Sequence, residues 1–354
     1  MSAPASDTVA PASDTVAPAS DTVAPADSAW RPQASLATLR ERARMFATVR
    51  QFFAARAVLE VDTPQLVNHA VSDVHLHSAE VSWPTPTYAT GRTGAPLFLH
   101  TSAEYAMKRL LAAGSGDLYQ LCHVFRGEES GPLHNSEFMM LEWYRVGWSL
   151  EQLMREVDEI LRALLGVQVG AAAQYLSYEQ AFVQSLGCNP LTDSDEALSA
   201  CALALGFDAP LVARCGRDEL LDLMIGAHIG PRLGLDGPVF VHRYPASQAA
   251  LARLDPVDAR VALRFEVYRG GIELANGFEE LGAAREQRAR FMSDQRQRAT
   301  RSLAVNPLDE FLLAALAAGL PDCSGVAVGI DRVLMLATGA ARLDEVMAFT
   351  AQRA

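Results

Sequence analysis

Three stretches of this chain gather charged residues where they could act together. The first, "FRGEESGPLHNSEF" at 125 to 138, places Arg126, Glu128, His134 and Asn135 in one loop, with Gly127 between the arginine and the glutamate. Its flanks, "DLYQLCHV" and "MMLEWYRV", are rich in aromatic and β-branched residues and free of Gly and Pro, so the loop is expected to hang from a hairpin. The second, "FEVYRGGIELANGFEE", reads as another hairpin. A two-residue turn at Arg269-Gly270 sets Glu266 opposite Glu273 on one sheet face. Opposed carboxylates repel unless a cation lies between them. Two readings fit: a solvated acidic face, or a Mg²⁺ site bridging nucleotide phosphates through hard oxygen ligands. The third, "GVAVGIDR", spaces Gly325 and Gly329 ahead of Arg332; it reads either as a tight packing turn or as a close backbone approach to a ligand.

Other chemistry is poorly represented. His75 and His77 of "HLH" would share a strand face, but no third metal ligand accompanies them. No Ser-His-Asp or Cys-His pattern is readable, and both G-x-G-x-x-G and a Walker loop are absent, which removes the commonest parallel-sheet nucleotide folds.

The elements that must position these stretches are of mixed type. Leu36, Leu39, Ala43, Phe46, Val49, Phe52 and Phe53 recur at helical spacing behind Ser35 as N-cap. A strand, "AVLEVDTP", follows and stops at Pro64; then come "PLFLH", the "SAEYAMKRLLAAG" helix and the first hairpin. Residues 149 to 235 read as mostly helical, strands return at "PVFVHRYP" and "RFEVYRGGIELANGF", and two helices at 283 to 302 and 308 to 319 precede a strand-to-helix turn at "CSGVAVGIDRVLMLATG". This order implies an α+β domain over 31 to 354, an antiparallel sheet flanked by helices, with late strands returning beside early ones and a helical insertion at about 149 to 235. "APASDTV" occurs at 3 to 9, 10 to 16 and 17 to 23. A Pro every seven residues among small polar ones forms neither helix nor core, so 1 to 30 is expected to be a disordered tail.

Composition narrows the setting. With 30 basic against 42 acidic residues and a net charge of −12, a general nucleic-acid surface is disfavoured. Lys108 is the only lysine; every other basic residue is arginine. Five scattered cysteines without a C-x-x-C pair argue against a disulfide framework and a zinc cluster. The apolar run at 311 to 320 is shorter than the roughly 20 residues a membrane span needs, and no secretory leader is readable. A cytoplasmic protein without membrane association is expected.

Together the three stretches resemble the three signature motifs of class II aminoacyl-tRNA synthetases, in the usual order: helix and strand to Pro64 as motif 1, "FRGEESGPLHNSEF" as motif 2, "GVAVGIDR" as motif 3. "TSAEYAMKRLL", "HNSEFMMLEWY" and "GIELANGFEEL" resemble the lysyl branch. Only the repeat tail stands where that branch carries an anticodon-reading domain, so stable tRNA binding is not expected. Among lysyl-type proteins the chain is similar to the freestanding ligases that attach (R)-β-lysine to a lysine of elongation factor P; Ser102 and Ala327 stand where tRNA-charging enzymes usually have alanine and glycine.

The resemblance implies ATP and Mg²⁺ as cofactors and a set of roles. Arg126 would hold the α-phosphate and the substrate carboxylate and Glu128 the adenine amino group. His134 and Asn135 would reach the distal phosphates and ribose. Phe138 and Arg332 would sandwich the adenine, with Leu274 and Gly329 completing the ATP site, and Glu266 and Glu273 would bind the metal. Ser102, Glu104, Tyr144 and Glu280 map onto amine-binding positions. Arg126 and Arg332 would carry the catalytic charge stabilisation. A homodimer is implied, because motif 1 builds the subunit interface and the stripe on its helix is wider than a monomer needs. The chain departs from the family pattern at Gly127, usually asparagine, and at Ala103 and Ser136, usually proline; the last two remove stiffening from their loops. Two alternatives stay open: a tRNA-charging enzyme, and a synthetase-like regulatory module without turnover.

Overall fold

The computed structural model describes residues 30–82, 96–127 and 130–354. The chain divides into two units. One comprises residues 1–31 with Arg353, of which Trp30, Arg31 and Arg353 are described; the Arg31 guanidinium lies 5.1 Å from the Trp30 ring centre. The repeat segments lie outside the described residues. The second unit, residues 32–352 with Ala354, holds every element below.

Ser35 caps the first helix, α1 (Leu36–Ala54), by accepting from Thr38 N at 3.1 Å. The buried face of α1 is Met45, Val49 and Phe53 rather than the full stripe expected. Leu36 is 64% exposed, because the helix rests its later turns on the sheet, with Phe53 stacked 4.4 Å from Tyr119 and 5.3 Å from Trp143. Strand β1 is only Leu59–Glu60, followed by β2 (Leu66–Val67), β3 (Glu80–Val81) and β4 (Leu97–Leu99), which form a small three-stranded sheet in the order β2-β4-β3. Helix α2 (Glu104–Ala112) leads to β5 (Leu118–Phe125) and β6 (Glu137–Val146), the hairpin expected around the charged loop.

The middle of the chain is mostly helical: α3 (Leu150–Leu165), whose N-terminus is closed by a Ser149–Gln152 capping box, then the short strand β7 (Gln174–Ser177), α4 (Tyr178–Leu186), α5 (Asp195–Ala204), α6 (Ala209–Val212) and α7 (Arg217–Met224). Strands β8 (Val239–Pro245), β9 (Val261–Arg269) and β10 (Ile272–Glu279) follow, then α8 (Ala284–Thr300), α9 (Glu310–Gly319), β11 (Cys323–Gly329) and α10 (Ile330–Thr338).

The main sheet has eight strands in the order β1-β5-β6-β11-β10-β9-β8-β7, antiparallel from β5 to β8 and parallel at its two ends. The last strand, β11, inserts between β6 and β10, which brings the third charged stretch between the first and the second. One core cluster joins this sheet to α1, α3 and α10 around fully buried Trp143, Val328 and Leu334; another fills the helical insertion around Phe182 and Leu221.

The turn between β9 and β10 differs from the expected one. Arg269 pairs with Ile272, so the two-residue turn is Gly270-Gly271, not Arg269-Gly270. Both glycines have positive φ, 62° and 75°, the backbone such a hairpin turn demands and an arginine resists. Leu274 is then an extra residue on β10, and Glu266 faces Asn276 while Glu273 faces Tyr268. Glu266 and Tyr268 are two residues apart on one strand, so Glu273 still shares a sheet face with Glu266, diagonally rather than directly opposite.

Candidate active site

The three motif regions meet in a cleft of about 1230 Å³. Arg126, just beyond β5, is fixed through its backbone N–H, which donates to Ser136 O at 2.8 Å, and its Nε donates to Thr101 O at 3.4 Å. Its guanidinium lies 5.2 Å from the Phe138 ring centre. The next residue, Gly127, donates to His77 O at 2.7 Å, and a Cβ there would sit 3.3 Å from that oxygen and from His77 Cβ. The tight approach gives this glycine a packing reason. His77 makes an isolated bridge and His75 lies in a turn, so the two do not share a strand face as expected.

Arg332, in the first turn of α10, ties the loop to β10. Its Nη1 donates to Glu273 O at 2.9 Å, its Nε to Leu133 O at 3.2 Å, and its Nη2 lies 2.8 Å from His134 Nε2. Asn135 is buried and donates to Glu137 O at 2.6 Å. The neighbouring Asp331 is a fixing point. It accepts from Met139 N at 2.6 Å and pairs with Arg42, linking α10, β6 and α1 through one buried carboxylate.

Of the expected site residues, Ser102, Glu104, Arg126, His134, Asn135, Phe138, Glu273, Leu274, Gly329 and Arg332 all line this cleft. Glu128 lies outside the described residues. Tyr144, Glu266 and Glu280 are buried behind the cleft wall.

Beside Glu266 and Glu273, sequence reasoning missed a cation. Arg264 lines the cleft, and its Nη2 donates to Glu266 Oε1 at 2.6 Å while Tyr268 Oη donates to Glu266 Oε2 at 2.7 Å. The like-charge problem of the two glutamates is therefore partly answered within the protein. Glu273 keeps 42% of its side chain open to the cleft. Burial and the Glu266 charge push its carboxyl up to about 7, against the opposing pull of Arg332, Arg264 and Arg126. Both Glu266 oxygens are engaged, so Glu273, with oxygens open to the cleft, is the carboxylate that could offer hard donors to a divalent cation.

An acidic chamber adjoins the cleft: Ser102 and Glu104 line the cleft itself, and Glu142, Tyr144 and Glu280 are buried behind them. Ser102 Oγ and Tyr144 Oη donate to the two oxygens of Glu142 at 2.8 and 2.6 Å. Burial, with Glu104 nearby, raises Glu142 to about 7. Lys108 Nζ, buried, lies 2.6 Å from both Glu104 Oε1 and Glu280 Oε2. Burial pushes the lysine pKa down, but Glu104 and Glu280 more than offset it and the ammonium is held charged. Glu280, raised to about 8 by burial despite Lys108, completes the group. Gly325 of β11 is what lets Tyr144 and Glu280 come so close: a Cβ there would lie 2.3 Å from Tyr144 Cε1 and 2.6 Å from Glu280 Oε1. Glu142 was not anticipated, because a strand reading of "LEWY" does not say which side chain faces the site. Ala327, its cross-strand neighbour, lines the cleft.

Comparison with known proteins agrees with this geometry. The family of tRNA synthetases class II (D, K and N) matches residues 28–353. Proteins named elongation factor P–(R)-β-lysine ligase are similar throughout. The one from Vibrio parahaemolyticus is 50% identical over 320 residues, 90% of this chain and 97% of its own. Those from Edwardsiella ictaluri and Pectobacterium atrosepticum are each 49% identical over 327 residues, 92% of this chain and 99% of theirs. Motif order, sheet topology, cleft chemistry and these matches converge: the chain belongs to the class II tRNA synthetase family of the D, K and N type.

Proposed function

We propose that this protein is an ATP-dependent ligase that activates (R)-β-lysine as its adenylate and transfers it to a lysine side chain of elongation factor P. The observation that carries this reading is one cleft lined by groups of opposite character: arginines 126, 264 and 332, and Glu104, which is backed by buried Glu142 and Glu280. An aminoacyl-adenylate needs that polarity, with its phosphate among cations and its ammonium groups among carboxylates.

The substrate carboxylate oxygen attacks the α-phosphorus of ATP and pyrophosphate leaves. Arg126 holds the α-phosphate and the carboxylate, offsetting the charge that concentrates at phosphorus. Phe138 and Arg332 sandwich the adenine, Leu274 and Gly329 shape the same site, and Glu128 takes the adenine amino group. His134 and Asn135 reach the distal phosphates and ribose. Glu273, with Glu266 behind it, would hold Mg²⁺, which when bound would supply positive charge to the phosphates. Glu104, Tyr144, Glu142 and Glu280 receive the ammonium groups, with Ser102 orienting Glu142. The acceptor lysine, as the neutral amine, then attacks the acyl carbon; the new amide forms as the bond to AMP breaks. No protein nucleophile is needed, and the residues act by positioning and electrostatics.

The protein works as a homodimer through α1 and its following strand, where Leu36 and Leu59 remain exposed on one chain. No helix among the described residues is long and apolar enough to cross a membrane, and the five free cysteines suit a cytoplasmic setting. A net charge of −12 disfavours stable tRNA binding. ATP–pyrophosphate exchange measured with (R)-β-lysine and with α-lysine tests the activation step: exchange with the β isomer supports the reading, and no exchange with either overturns it.

A further inference from the structure

Lys108 has no role in the chemistry above, yet it is the only lysine in the chain and is buried inside the amine-binding chamber. It contacts two of the three carboxylates there, at 2.6 Å each. A buried carboxylate is costly unless paired, and three together are costlier still. With all three ionised, Glu104, Glu142 and Glu280 carry three negative charges and Lys108 one positive, so two further positive charges bring the chamber to neutrality. A diamino acid brings two ammonium groups. We propose that Lys108 is a positioning and specificity residue: its ammonium holds Glu104 and Glu280 as two walls of the chamber and cancels one carboxylate, matching the chamber's charge to a substrate with two ammonium groups. The inference rests on the functional reading above.

Glu104 of α2 and Glu280, just past β10, touch Lys108; Glu142 of β6 acts on Glu280, and the Cys323 thiol of β11 feels both Glu280 and Lys108. Removing the ammonium leaves burial, Glu104 and Glu142 acting on Glu280 with the Lys108 charge no longer opposing them. Glu280 then keeps its proton to higher pH, and a protonated carboxyl is a poor partner for an ammonium group. A lysine that only filled space, its charge not acting on a substrate-binding carboxylate, would change stability without moving the pH dependence of substrate binding.

The experiment is calorimetric binding of (R)-β-lysine to the full-length protein from pH 6 to 9, comparing wild type, Lys108→Met and Lys108→Met/Glu280→Gln. Lys108→Met is expected to move the pH at which binding strengthens upward by about one unit or more. The double variant removes both members of the pair, so it avoids stranding Glu280 and is expected to bind with no upward-shifted limb. Where the single variant does not fold, a double variant whose binding strengthens only at higher pH than that of wild type overturns the proposal. A Lys108→Met profile that superimposes on wild type, or a double variant with the same upward shift as the single one, overturns the proposal alone. Wild-type protein that binds no β-lysine at any pH overturns the functional reading and the proposal with it.

Discussion

Gly325→Ala is the smallest substitution that should break amino-acid recognition while sparing ATP. Gly325 sits on β11 between Tyr144 of β6 and Phe278 of β10, with a backbone that an alanine can adopt. The obstacle is space. The new Cβ would stand 2.3 and 2.4 Å from Tyr144 Cε1 and Cδ1 and 2.6 Å from Glu280 Oε1. Neither neighbour yields easily: Tyr144 Oη is held by Glu142 at 2.6 Å, and Glu280 by Lys108 at 2.6 Å, all in buried surroundings. Restoring ordinary carbon–carbon contact, about 3.5 Å, requires a displacement of about 1 Å shared between ring and strand. Overpacking of this kind costs about 1–3 kcal/mol of stability. A misplacement of about 1 Å at reacting or binding groups costs about 100-fold in rate, or about 2.7 kcal/mol of transition-state binding. In β-lysine-dependent pyrophosphate exchange, kcat/KM for the amino acid should therefore fall about 100-fold while KM for ATP stays within about twofold. Amino-acid kinetics like those of wild type, or equal losses for ATP and amino acid, would refute the reasoning.

Glu273→Gln keeps the side chain's shape and removes the charge that faces Arg126, Arg264 and Arg332; adenylate formation should fall by about 100-fold or more in a pyrophosphate-exchange assay. For β-lysine binding, Glu142 and Glu280 titrate at about 7 and about 8 in the empty chamber, and an entering ammonium favours their charged forms. Affinity should rise as pH climbs through this range, with protons released on binding, counted by calorimetry in buffers of different ionisation enthalpy. The same raised values mean that the folded chain binds more protons than the unfolded one above the ordinary carboxylate value of 4.5, so stability should fall between that pH and about 8, as urea unfolding at pH 6 and 8 would show.

Much of the architecture was legible in the sequence because local and global preferences agree. The flanks of the charged loop are strand formers and make the β5–β6 hairpin; Ser35 caps α1; the glycine-spaced stretch is a strand running into a helix. What the sequence hid was register and facing. "RGG" admits two turns, and the structure uses the one in which both strained positions are glycines, moving Glu273 by two residues along its partner strand, from Glu266 to Tyr268. Alternation along a strand shows that residues share a face but not which face is the site, so Glu142 passed as an ordinary strand residue. Arg264 and Lys108 were obscured for another reason: each has a carboxylate close in sequence, Glu266 two residues on and Glu104 four residues back, that reads as an ordinary local ion pair, and only the fold adds Glu273 and Glu280 to them.

The central claim, an adenylate-forming cleft serving a protein lysine, is tested most directly by the intact mass of elongation factor P after incubation with this protein, ATP and either (R)-β-lysine or α-lysine. The account predicts a gain of one β-lysyl residue on a lysine side chain, dependent on ATP. Unchanged elongation factor P alongside efficient attachment of lysine to tRNA would contradict it.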